Sequence, residues 1–436
     1  MHAVRMRACT DSVVMRALPT TARALQQPTG SGAMRALHAT PRALQRATGS
    51  GALRALHATP ARAASAGELW TMLNELGARE GAINMGQGFP DFEGSAVARK
   101  AAAEALDTPS LNQYSPIDGL ASLRDEVSAF YERRYGARYD AASEVVVTSS
   151  GQEALVASLR ACFTRTGRAG VVVLEPFYPF LAPAVAAAGG ALQPLRLAPP
   201  TFALPTAAAL DAARDETTGV IVVNSPHNPT GKCATADELA VVADWCVRND
   251  VMVVADDVYE HAVFPGRAHV RVADVPGMRD RAITLSSAGK LFSLTGWRVG
   301  WALAAADVAR DVSAAHTALT YAAPTPLQHG VAAALAVEDG TFGGVAELFA
   351  RNYGALAAAL AARGLDVCPA DGGYFLVADA KRPATDFARS LADETGVVCT
   401  PLSVFYATPP AEDSYVRFTI CKSAAHVDRA CAALGA

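Results

Sequence analysis

Lys290 stands among small residues in Ser287-Ala288-Gly289-Lys290, with a hydroxyl at Ser287 three positions before it and a guanidinium at Arg298 eight positions after. That spacing suits an amine that condenses with a phosphorylated aldehyde. The lysine forms a Schiff base, and Ser287 and Arg298 reach the phosphate, Arg298 through two parallel charge-assisted hydrogen bonds. Taken alone, a surface lysine beside a solvated arginine is the simpler reading, so the other segments decide. Asp256-Asp257-Val258-Tyr259 follows an apolar run. A carboxylate there can hold a protonated pyridine nitrogen, and Tyr259 can donate to a phenolate oxygen on the same ring. The spacing favours Asp256 for that role, with one of the two aspartates free to cap the next turn.

Ser149-Ser150-Gly151-Gln152 joins a strand to a helix. Small residues and unpaired N–H groups there suit a phosphate, although an ordinary helix cap has the same look. In Asn224-Ser225-Pro226-His227-Asn228-Pro229 two prolines restrict the amide of Asn228. Tyr178, just past a strand end, can stack on a flat ring or fill core. Arg417, alternating in Tyr415-Val416-Arg417-Phe418, fits a bidentate carboxylate clamp or a surface salt bridge.

Short β-branched runs must position these groups. Val145–Thr148, Val171–Leu174, Gly219–Val223, Val251–Ala255 and Ala282–Leu285 are continuous apolar runs, and helix-like stretches span Gly151–Phe163 and Thr235–Arg248. Such runs at helical separations predict an α/β fold with a mainly parallel sheet buried on both faces. Ligands on these sheets gather beyond the carboxyl ends of the strands. The candidate residues sit at those ends, and scattered polar residues would have no reason to share one edge.

The chain has 436 residues, 51% of them hydrophobic, and a formal net charge of -4. That composition permits two or three domains and offers no basic stripe for nucleic acid or anionic membrane. The 8 cysteines are scattered without metal-ligand spacing, as expected of free thiols in a reducing compartment. The first sixty or so residues differ: they are Arg-rich, with Asp11 the only acid before Glu68, and they repeat with a period of nineteen residues from Met15, Met34 and Leu53. They lack branched apolar or aromatic residues able to build a stacked core, so disorder is expected. A mitochondrial or plastid transit segment has this composition, as does duplicated low-complexity sequence. Without transit function, the expected location is cytoplasmic.

Beyond the tail, from about Trp70 to Val427, the chain resembles the fold type I pyridoxal-phosphate enzymes of the class I/II aminotransferases. It is most similar to their kynurenine aminotransferase/glutamine transaminase K branch. The motifs that carry the likeness are Asn84 to Phe92, Asn112-Gln113-Tyr114, Asn224 to Gly231, Asp256 to Tyr259, Ser287 to Trp301 and Tyr415 to Phe418. The resemblance implies a large domain whose mainly parallel, seven-stranded-type sheet lies between helices, plus a smaller α+β domain. Its expected boundaries are 1–65 for the tail, 66–110 for an N-terminal arm and part of the small domain, 111–335 for the large domain, and 336–436 for the small C-terminal domain.

Pyridoxal 5'-phosphate is the implied cofactor, with Lys290 as its Schiff-base lysine and proton carrier and Asp256 at the pyridine nitrogen. Asn228 and Tyr259 are implied at the phenolate oxygen, Tyr178 on the ring, and Ser150, Gly151, Gln152, Ser287 and Arg298 at the phosphate. Tyr114 would reach the phosphate from a neighbouring subunit, which makes the unit a homodimer with shared active sites. Arg417, with Asn228 and the Gly88 backbone, would grip the substrate carboxylate, while Trp70 and Tyr321 match aromatic positions of the side-chain pocket. The implied reaction is ping-pong transfer of an amino group from a large neutral or aromatic amino acid, of kynurenine, glutamine, methionine or phenylalanine type, to a 2-oxo acid. Elimination from cysteine S-conjugates is the alternative. The sequence departs from the branch at Ser150, often glycine, at Gln152, often aromatic, and at Asp257, usually glutamate.

Overall fold

Valine-rich runs that bury both faces form the central sheet, as their continuous apolarity requires. In the computed structural model, which describes residues 66–435 except 339 and 341, seven strands make this sheet. They are β1 (Val145–Thr148), β2 (Gly170–Glu175), β3 (Ala191–Arg196), β4 (Thr218–Asn224), β5 (Met252–Asp256), β6 (Ala282–Ser287) and β7 (Gly300–Leu303). Their spatial order is β1-β7-β6-β5-β4-β2-β3. Only β7 runs against its neighbours. The sequence reading did not anticipate β3 or β7. β3 is a half-exposed edge strand with Pro194 in it, where a missing N–H is tolerated.

The register places the site. Asn224 at the end of β4 is opposite Asp256 at the end of β5, and Asp256 is opposite Leu285 of β6. Three strands therefore deliver Asn224, Asp256 and Ser287 to one edge. Helix Gly151–Thr166 starts at that edge and buries Ala154, Leu155 and Leu159 against the sheet. Helix Ala236–Asn249 covers the other face through Leu239, Val242 and Trp245, and opens on a capping box between Thr235 and Glu238.

A four-stranded antiparallel sheet of Thr400–Pro401, Tyr415–Thr419, Phe375–Asp379 and Asp366–Val367 packs with helix Val345–Ala362 around a separate apolar core that includes Phe349, Leu376 and Phe418. Ile83–Asn84 pairs with Val397–Val398, tying the start of the described chain to this C-terminal part. No helix among the described residues is long and apolar enough to cross a membrane, and their cysteines are free. The 1–65 segment, on which the transit expectation falls, lies outside the described residues.

Candidate active site

A cavity of about 130 Å³ opens at this strand edge. The turn after β1 supplies Gly151 and Gln152, the loop after β2 supplies Tyr178, and Asn224 and Asn228 come from the end of β4. Asp256, Val258 and Tyr259 follow β5, while Ser287, Lys290 and Arg298 lie between β6 and β7. Residues up to 147 positions apart in sequence share this wall because the register brings their strand ends level.

Lys290 sits in the short helix Ala288–Leu291, whose carbonyl at Lys290 accepts from the Tyr374 hydroxyl at 2.9 Å. Its Nζ lies 5.5 Å from the Tyr259 ring centroid and 5.2 Å from that of Tyr374, with no ion pair among the described residues. Burial holds its ammonium below the ordinary lysine value, and Arg298 and Arg417 add to that against Cys421 and Asp256. A lysine so placed loses its proton readily and becomes a nucleophile.

Asp256 lines the cavity, and burial, reinforced by Asp257, pushes its carboxyl up to about 7. A cation brought beside it would return it to the carboxylate. Asp257 faces away, with Oδ2 3.3 Å from Nε2 of His269. Asn224, which the motif reading passed over, ties the edge together: its Oδ1 accepts from the Asn228 N–H at 2.7 Å and its Nδ2 donates to the Asp256 carbonyl at 2.7 Å.

Arg417 is 4% exposed and has no acidic partner among the described residues. Nη1 donates to Asn228 Oδ1 at 3.0 Å and Nη2 to the Gly86 carbonyl at 2.6 Å. Its guanidinium is 3.9 Å from the Phe375 ring centroid and 4.6 Å from that of Phe405. Burial lowers it to about 9. A buried cation without a counter-charge is costly unless an anion arrives. Gly86 supplies the backbone contact to Arg417 itself, and at Gly88, expected to help hold the substrate carboxylate, a Cβ would come 2.3 Å from the Phe375 ring, so glycine there permits the stacking on Arg417. Neither Phe375 nor Phe405 was singled out from sequence, since both read as ordinary core.

The anion cradle has its own geometry. Ser150 precedes helix Gly151–Thr166 with φ 102° and ψ 162° and makes no side-chain cap. A Cβ at Gly300 would lie 2.7 Å from the Gly151 nitrogen, so β7 passes close beneath the turn. Gln152 Nε2 donates to the Phe180 carbonyl at 3.2 Å, and the Tyr178 ring leans on Phe180 at 5.4 Å. Arg298 is exposed, holds a left-handed backbone and donates to the Thr295 carbonyl at 3.0 Å. The helix N-terminus, Ser287 and Arg298 are what a phosphate dianion requires.

Glycine populates the Ser150 conformation freely and other residues at a cost of about 1–3 kcal/mol. Ser150→Gly is therefore expected to raise the unfolding free energy of the cofactor-free protein by about 1 kcal/mol, after the entropy glycine adds to the unfolded chain. Denaturant titration checks it, and a destabilised variant would contradict the strain.

Ser150, Arg417, Tyr114, Tyr321, Trp70 and Gly88 lie outside the cavity lining itself, Ser150 directly beside Gly151 and Arg417 bonded to Asn228. Tyr114 is 85% exposed and packs edge-on against Tyr321 at 5.5 Å. Trp70 is half-buried against the cluster that contains Phe405. Gly88 acts through Phe375 as described.

A lysine of lowered basicity, a carboxyl awaiting a cation, an aromatic face and an anion cradle fit pyridoxal phosphate on every side, and fold and site together define a fold type I pyridoxal-phosphate enzyme. The chain matches the family "Aminotransferase class I and II" over residues 80–434, and it belongs to that family. It is 38% identical over 373 residues to the probable N-succinyldiaminopimelate aminotransferase of Mycobacterium tuberculosis, covering 82% of this chain and 93% of the relative. The solved structure of the N-succinyldiaminopimelate aminotransferase from that organism superposes with a TM-score of 0.79 at 37% identity, covering 84% of this chain and 96% of the other. It is 33% identical to the methionine aminotransferase of Escherichia coli over 78% of this chain and 88% of that one. Kynurenine–oxoglutarate transaminase 3 of Rattus norvegicus is 31% identical, with 75% of each covered. The kynurenine branch is thus among the relatives, at lower identity than the succinyldiaminopimelate enzyme. The protein is a pyridoxal-phosphate-dependent aminotransferase acting on amino acids and oxo acids.

Proposed function

We propose that the amino donor is a large neutral or aromatic α-amino acid, of kynurenine, glutamine, methionine or phenylalanine type, and that a 2-oxo acid accepts the group in a ping-pong cycle. The observation that carries the reading is Arg417, a buried cation lacking a counter-charge beside the Lys290 cavity. It takes one α-carboxylate. The cations lining the cavity are Lys290 and Arg298, both assigned to the cofactor. Trp70 is half-buried in the apolar cluster that holds Phe405, whose ring lies 4.6 Å from the Arg417 guanidinium. The elimination alternative draws no support from the relatives, which are named for amino transfer.

Bound pyridoxal phosphate supplies an electron sink for the pair left when Cα–H breaks. The chain does the rest. Arg417 binds the carboxylate bidentately and Asn228 Oδ1 fixes its rotation, so that the Cα–H bond points toward Lys290 Nζ. Lys290 Nζ would hold the cofactor's aldehyde carbon and would serve as the general base that takes the Cα proton. Asp256 as carboxylate would hold the protonated ring nitrogen. Tyr259 and the free Nδ2 of Asn228 would hold the phenolate oxygen, and Tyr178 would lie against the ring. Ser150, Gly151, Gln152, Ser287 and Arg298 would hold the phosphate. Two copies form the working unit, with exposed Tyr114 completing the partner's phosphate site; light scattering of the purified protein reports that state.

The relative of highest identity described above favours a second reading, a donor bearing a distal succinylated chain with further carboxylates. A donor-by-acceptor panel separates the two. Methionine, phenylalanine, glutamine and kynurenine are expected to exceed N-succinyl-diaminopimelate in kcat/KM by at least about tenfold, and the reverse order would overturn the neutral-donor reading.

A further inference from the structure

Behind the anion cradle lies a Glu153–His316 contact that none of the roles above uses. Glu153, in the first turn of helix Gly151–Thr166, divides its carboxylate between two elements: Oε2 accepts from the Ser149 N–H at 2.7 Å, and Oε1 lies 2.8 Å from Nδ1 of His316. His316, fully buried in helix Ala306–Leu319, points its other nitrogen at the Ile117 carbonyl, with Nε2 to O at 3.1 Å. Both ring nitrogens thus face acceptors, a carboxylate and a carbonyl. A neutral imidazole has one N–H and satisfies one of them; only the doubly protonated ring satisfies both.

We infer that His316 is a buried imidazolium which, through Glu153, holds the Ser149–Gly151 turn in its phosphate-binding shape, making the two residues a protonation-dependent positioning pair for the cofactor phosphate. Three observations converge on it. The turn is strained at Ser150 and needs an external hold, and the Glu153 bond to the Ser149 N–H is adjacent to that residue. The Ile117 carbonyl lies three residues beyond Tyr114, and Tyr321, two residues past the end of helix Ala306–Leu319, packs on Tyr114, so the same ring ties the cradle to the segment expected to serve the second subunit. Glu153 also raises His316 above its ordinary value of 6.5, by hydrogen bond and by charge, against the lowering effect of burial.

The groups facing the ring from each packed element are few. They are Glu153 on its helix, Asp118 in the segment after Ile117, itself bonded by Ser313, and the Thr320 hydroxyl 3.3 Å from Nδ1. Arg165 is occupied further along the two helices, with Asp307 at 2.6 Å and Asp311 at 3.1 Å. The sign follows from the raised value. The clamp is complete below pH 6.5 and is lost as pH rises through the higher value of the folded protein. The inference rests on the Ser150–Gln152 turn being the phosphate cradle.

Affinity for pyridoxal phosphate and for unphosphorylated pyridoxal, measured on full-length cofactor-stripped protein from acid to alkaline pH, tests it in wild type, Glu153→Gln and His316→Gln. The wild type is expected to prefer the phosphate ester, and each variant to lose about tenfold of that preference at neutral pH with pyridoxal affinity little changed. Relative to His316→Gln, the wild-type preference should decline across the His316 titration. Isotope-edited NMR of the His316 ring in the wild type needs no variant and should show both nitrogens protonated at neutral pH. A neutral ring beside a protonated Glu153, or equal losses for both ligands, would overturn the clamp. A wild type that binds the two ligands equally would instead overturn the cradle assignment on which it rests.

Discussion

Lys290→Ala is expected to give a folded, colourless protein whose turnover falls by about 10⁴-fold or more. General base catalysis alone accounts for about 10²–10⁴ of such losses, and the same amine is the cofactor's point of attachment. The fold should survive, because Lys290 makes no ion pair among the described residues and its side chain sits where burial disfavours its charge. The removed amine leaves space beside Tyr259 and Tyr374, whose rings lie about 5 Å from Nζ. A small diffusible amine that enters this space should restore part of the rate. Absorbance of the lysine–cofactor conjugate, borohydride trapping and mass spectrometry of the adduct check the assignment. A trapped adduct on any other lysine would remove Lys290 from its role.

The parts of this protein that were readable from sequence are those where one local property decides. Val145–Thr148 and Ala282–Ser287 are strands because β-branched apolar runs cannot be solvated on either face, and their polar end residues marked the site edge. Asp256 was separable from Asp257 by spacing to Tyr259, and the structure turns Asp257 to His269. Residues that depend on distant partners were not readable. Gly300–Leu303 is antiparallel only because Ser287 pairs with Gly300 across the lysine loop, which no property of either segment announces. Phe375 and Phe405 look like core and are core, yet they also sandwich Arg417. Gly86 presents a carbonyl, which is invisible in any side-chain motif. His316 and Glu153 are 163 positions apart, so only packing could reveal the pair. The departure at Ser150 was visible as a residue difference, and its cost became legible only with the positive φ.

Arg417→Leu is expected to move activity and stability in opposite directions. Loss of a buried, charge-assisted carboxylate clamp costs about 2–5 kcal/mol, so kcat/KM should fall by about 10²–10³-fold, mostly through KM. A merely structural arginine would lose stability with its two hydrogen bonds. This one is held at about 9, below its ordinary value, because burial disfavours its charge and no acid compensates it. A basic group whose folded value is depressed penalises the folded state while it is charged. The penalty is present at neutral pH and relieved as pH rises through about 9, since the unfolded chain then binds more protons than the folded one. The leucine variant lacks that penalty. Its melting temperature at neutral pH should therefore equal or exceed that of the wild type, with the gap closing on the alkaline side. A saturating carboxylate substrate analogue should raise the wild-type melting temperature, by occupying the native state alone, and leave the variant unmoved. A variant that melts lower and keeps its KM would show that Arg417 holds the small sheet together and does not capture substrate.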